Sequence, residues 1–110
     1  MKEFFVDIAL PALTDMDDIY RYTKDRFGDS ERAGKLYDAI AKEILSLGRM
    51  PLRYGIPQFE PCIRLKLHRM LVDKYSVFYL VDGDTVTVTD IIYSSADLEC
   101  RLGRRHEDAR

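Results

Sequence analysis

The spacing of hydrophobic and polar residues changes several times along the chain, and each change marks an element. Residues 3–9, EFFVDIA, alternate with Phe4, Val6 and Ile8 on one side, which predicts a strand. From Pro11 the spacing is helical. Leu13, Met16, Tyr20, Thr23 and Phe27 fall on one face, proline suits a first turn, and Gly28 ends the run. Asp29 or Ser30 then caps a second helix, whose stripe is Ala33, Leu36, Tyr37, Ile40, Ile44 and Leu47 and which closes at Gly48 and Pro51. With only a few residues between them, the two helices are expected to pack as an antiparallel hairpin. Residues 51–61, PLRYGIPQFEP, read as a loop.

Beyond the loop the pattern alternates again. Residues 62–71, CIRLKLHRML, predict a strand with Ile63, Leu65 and Leu67 inward and Arg64, Lys66 and His68 in a basic row on the other face. Val72-Asp73-Lys74 is a turn. Tyr75 to Val81 is apolar on both faces and so reads as a central strand. Asp82-Gly83-Asp84 makes a hairpin turn into a strand from Thr85 to Tyr93, with Val86 and Val88 inward. Asp90 falls on the valine face, which requires either a bulge or a partner. Ser94 or Ser95 caps a short last helix carrying Leu98 and Leu102. The expected architecture is α+β with the order β-α-α-β-β-β. A twisted antiparallel sheet carries the helical hairpin on one face and the short helix at its C-terminal end. The hairpin is expected to bury Leu36, Ile40, Ile44 and Leu47 against Leu65, Leu67, Val77 and Tyr79. One domain spans residues 1–102, and 103–110 form a frayed basic tail.

Composition narrows the function classes. Hydrophobic residues at 46% and charged residues at 33% describe a globular chain, and 110 residues make one domain. A net charge of -2 excludes a general polycation, so any anion binding must come from local clustering. Clustering exists: residues 1–31 carry four bases against eight acids, and residues 49–74 carry six bases against two acids. Cys62 and Cys100 fit no metal spacing and are expected as reduced thiols in cytosol. Asp15, Asp17 and Asp18 suit the start of a helix better than a metal. The first ten residues resemble no signal peptide, and no apolar run is long enough to span a membrane.

The pieces ERAGKLYDAIAKEILSL, RMLVDKYSVFYLVDGD and IIYSSADLE, in this order and with SLGRMP closing the helical hairpin, resemble the RelE/ParE superfamily of bacterial type II toxins over nearly the whole chain. The resemblance implies a cytoplasmic, growth-inhibiting toxin of the plasmid-stabilisation kind, encoded beside an antitoxin that silences it, acting without a cofactor or metal. RelE-like members cut messenger RNA on the ribosome. ParE-like members poison DNA gyrase and have no chemistry of their own. For a ribonuclease, Arg64, Lys66 and His68 match the basic-strand positions and Tyr93 stands in as a proton donor. Ser94, Ser95 and Ala96 occupy the place where the family's arginine is expected. That departure favours the ParE-like reading, in which Arg64, Lys66, Arg69 and Lys74 seat antitoxin acids or the target. A homodimer and a toxin–antitoxin hetero-oligomer are both compatible with the resemblance.

Overall fold

The computed structural model describes residues 2–107. The elements are β1 (Phe5–Ile8), α1 (Leu10–Phe27), α2 (Ser30–Ser46), α3 (Cys62–Leu65), β2 (His68–Val72), β3 (Tyr75–Asp82), β4 (Thr85–Tyr93) and α4 (Leu98–Arg105). The fold is α+β. Strands β2, β3 and β4 form an antiparallel meander, and β1 joins its far edge parallel to β4, giving the order β1-β4-β3-β2.

Local chemistry explains the hairpin. Pro11 occupies the first turn of α1, and Gly28 closes the helix at φ 62, its N–H donating to the Lys24 carbonyl at 2.8 Å. Asp29 caps α2 by accepting from the N–H groups of Glu31 at 3.0 Å and Arg32 at 3.1 Å. Gly48 differs from its expected role as a left-handed cap. It lies where a Cβ would stand 3.3 Å from the carbonyl oxygens of both Leu45 and Phe4, and its own carbonyl accepts from Phe4 N–H at 2.9 Å. Glycine is needed there because β1 passes close to the end of α2.

The sheet is covered on both sides. On the hairpin side Met16, Ile40, Ile44, Leu47, Val77 and Tyr79 form the larger core. On the other side Cys62, Leu67, Phe78, Ile92, Leu98 and Leu102 form a second, smaller one. Each large apolar side chain buried in this way contributes about 1.5–3 kcal/mol before entropy is counted. The expected contact of the hairpin with Leu65 and Leu67 is therefore corrected, because both belong to the second cluster.

The basic strand is corrected as well. Residues 62–65 make one helical turn, in which Leu65 N–H donates to Pro61 O at 2.9 Å and Glu60 Oε1 accepts from Arg64 N–H at 3.1 Å. Lys66, at φ 59, reverses the chain in a left-handed conformation before β2 starts at His68. Only His68–Val72 find partners on β3. A short alternating run fits a turn of helix and a strand about equally, and pairing decided between them.

In β4 the expected alternatives at Asp90 are both realised. The register slips between Phe78↔Asp90 and Tyr79↔Val88, leaving Thr89 as an extra residue. The slip turns Asp90 and Ile92 to the α4 side and Ile91 and Tyr93 to the hairpin side. The C-terminal boundary at 102 also moves. Gly103, Arg104 and Arg105 belong to α4, and Arg105 and His106 are tied to the domain. Residues 108–110 of the expected tail lie outside the described residues. No helix among the described residues is long and apolar enough to cross a membrane.

Candidate functional site

The four residues expected to serve a ribonuclease do not share a face. Arg64 and Lys66 are exposed on and just after the α3 turn. His68 stands on β2 opposite Tyr79, stacked on its ring at 5.2 Å, with Nδ1 2.7 Å from the Tyr54 carbonyl oxygen. Tyr93 lies at the far end of β4, beside Tyr75, with ring centroids 5.7 Å apart. His68 and Tyr75 are separated by the length of the β2–β3 ladder, four residues or roughly 13 Å. A base, an acid and a phosphate clamp around one ribose phosphate require closer convergence than this. Burial pushes the Tyr79 hydroxyl up to about 12, and that hydroxyl donates to the Pro51 carbonyl oxygen. Burial likewise pushes the Cys62 thiol up to about 11, with the Arg69 guanidinium opposing, so neither group is primed to react near neutral pH.

Arg69 faces the second side of the sheet. Its Nε donates to Ser76 Oγ at 2.9 Å, and Ser76 Oγ is 2.6 Å from Ser94 Oγ. Lys74 is exposed in the β2–β3 turn. Arg69 therefore reaches from the start of β2 across to Ser76, Lys74 sits in the turn at the other end of β2, and Arg64 and Lys66 precede the strand.

A buried polar network escaped the sequence reading. Strand β1 ends at Ile8 opposite Val88, which leaves the last stretch of β4 without a neighbour on that edge. Asp15, read from sequence as a helix-start acid, closes the gap. Its Oδ2 accepts from Ile91 N–H at 2.9 Å, and its two oxygens take Arg105 Nη1 at 2.6 Å and Nη2 at 2.8 Å. Asp90 sits 3.4 Å from Arg105 Nη1 and 2.8 Å from His106 Nε2. The side chains of Asp15 and Asp90 are 7% and 3% exposed, so they need these partners. The hydrogen bonds that the Arg105 guanidinium donates to Asp15 raise it further above its usual range. An acid beyond the first turn of α1, on its apolar face, was the available signal.

Asp15, Ile91 and Arg105 of this network also line an open groove of about 960 Å³. Residues of α1 and α2, of the β2–β3 turn, of β3 and β4 and of α4 line it. Arg26, Arg32, Lys35, Lys74, Arg101 and Arg105 line it, against the acids Asp15, Asp18 and Asp73. Tyr22, Phe27, Tyr75 and Tyr93 supply the aromatic surface. Burial first, then the neighbouring Tyr22, Asp73 and Tyr93, raise the Tyr75 hydroxyl above its usual range.

The family model for the ParE toxin of the type II toxin–antitoxin system, parDE, matches residues 6–98. A solved structure described as the chromosomal ParDE TA system from P. aeruginosa has the same fold. Its TM-score is 0.73 at 18% identity, over 86% of this chain and 100% of that one. No curated protein matches the chain.

Proposed function

The chain belongs to the ParE toxin family, and from that premise we propose that it arrests growth by binding its target, DNA gyrase, without cutting RNA, and that a cognate antitoxin silences it. One observation supports binding over cleavage: Arg64, Lys66, His68 and Tyr93 are spread over a helical turn, an edge strand and the opposite end of the sheet. The antitoxin is expected to cover Leu71, which is 61% exposed on edge strand β2, and to set acids beside Arg69 and Lys74.

The test is induction of the chain alone in a bacterium, with DNA supercoiling and protein synthesis followed together over the first minutes. The expected result is early loss of supercoiling or DNA damage while translation continues. The double variant Arg64→Ala/Lys66→Ala should kill as the parent does, and its circular dichroism should match the parent's. Cut messages with immediate loss of translation, abolished in that variant, would establish a ribonuclease instead.

A further inference from the structure

The groove between the α1–α2 turn and α4 takes no part in the binding surface assigned to the antitoxin beyond Lys74, and its chemistry points elsewhere. Six bases and three acids line it, in a chain whose net charge is -2. One acid, Asp15, is already neutralised by Arg105. Among the described residues Arg26, Arg32, Lys74 and Arg101 have no carboxylate within ion-pair distance, and Lys35 has only Glu31, at 3.4 Å on an exposed surface. An exposed pair of that kind is worth about 0–1 kcal/mol and yields readily to a better anion. These cations come from two parts of the chain, Arg26, Arg32 and Lys35 from the helical hairpin and Lys74 and Arg101 from the β2–β3 turn and α4. Tyr22 and Tyr93 line the same groove and are 59% and 44% exposed. Arg32 already shows how such a ring is used here, lying 3.6 Å from the centre of Phe27.

We propose that this groove binds single-stranded nucleic acid, with phosphates held by Arg26, Arg32 and Lys35 of the hairpin and by Lys74 and Arg101 of the β2–β3 turn and α4, and with bases stacked on Tyr22 and Tyr93. Cations that track a backbone, interleaved with aromatic faces, are the combination by which single strands are held without regard to sequence. The concave shape favours a single strand over a duplex, which is read by elements that project into its grooves. A peptide added to the sheet as a further strand would need a free strand edge for its main-chain bonds. The one edge that opens here, β4 beyond the end of β1, has its Ile91 N–H taken by the Asp15 carboxylate at 2.9 Å. The inference includes no bond cleavage, and it holds whether or not gyrase is the target.

Fluorescence anisotropy of a labelled oligothymidylate titrated with the 110-residue chain tests it. Four or five phosphate contacts give a log–log salt slope of about -3, hence a roughly 60-fold loss of affinity from about 50 to 200 mM salt. Arg26→Gln/Arg32→Gln/Arg101→Gln should weaken binding at least about tenfold and bring the slope to about -1, since each single-strand contact accounts for about 0.7. Tyr22→Ala should cost about fivefold or more, the low end of one stacked base. Lys42→Gln/Arg49→Gln, charge changes outside the groove, should change nothing. Circular dichroism of every variant checks the fold. No anisotropy change at low salt up to about 100 μM, the weak end of non-specific binding, would overturn the proposal. So would binding that the groove variants leave intact, equal binding of the matching duplex, or full competition by polyglutamate at equal charge.

Discussion

Replacing Asp15 with alanine removes three hydrogen bonds in one step, to Ile91 N–H and to both terminal nitrogens of Arg105. The two kinds of partner respond differently. The Ile91 N–H is buried and has no neighbouring strand, so its loss leaves an unsatisfied donor at about 1–3 kcal/mol. Arg105 is 35% exposed and can turn its guanidinium to water, so the ion-pair part is nearer the value of a surface pair, about 1 kcal/mol. The sum is about 2–4 kcal/mol, a large share of the 5–15 kcal/mol typical of a domain. At about 4 °C per kcal/mol for this length, Tm should fall by about 8 °C or more. Urea unfolding followed by far-ultraviolet circular dichroism measures it, with an unchanged slope as the check on two-state behaviour. Asp15→Asn keeps a side-chain oxygen for Ile91 and should lose less than half as much. Asp17→Ala, on the exposed face of the same helix, should stay within about 0.5 kcal/mol of the parent. Equal stability of Asp15→Ala and Asp17→Ala would refute the strand-edge role of Asp15. A cost for Asp15→Asn equal to that of Asp15→Ala would refute it too, for then charge and not the strand-edge hydrogen bond carries the effect.

Two further expectations concern stability. The Cys62 thiol rises from 9.0 to about 11 and the Tyr79 hydroxyl from 10.0 to about 12 on folding, so between these limits the unfolded chain has lost protons that the folded chain keeps. Stability must then be fully present below about pH 9 and fall as pH rises, and Cys62→Ala should flatten the part between about pH 9 and 11; a urea midpoint independent of pH up to 11 would contradict this. Gly28→Ala and Gly48→Ala should both destabilise, by about 1 and 1–3 kcal/mol, but for different reasons. Gly28 has φ 62 and open space around its Cβ position, so Gly28→Asn should recover part of the loss, whereas at Gly48 the crowding by two carbonyls makes asparagine no better than alanine.

Local pattern was enough for much of this fold. The hairpin, its Asp29 cap and Gly28 stop, the turns at Asp73 and Gly83, and strands β3 and β4 all follow from spacing and turn chemistry within a few residues. Leu98 and Leu102 as the buried side of a short last helix were legible in the same way. What sequence could not supply is whatever depends on which strand finds which. CIRLKLHRM alternates like a strand, yet β3 offers partners only from His68 onward, and the remainder coils into a turn that buries Cys62 and Leu67 on the α4 side. The basic row of Arg64, Lys66 and His68 disappeared with that choice. Asp15 and Arg105 lie ninety positions apart. Their meeting requires that β1 end at Ile8, that β4 slip by one residue at Thr89, and that α4 return along the exposed edge. Each of these is a long-range pairing, paid for in loop-closure entropy and decided by the packed sheet, and periodicity along a single chain carries no record of it.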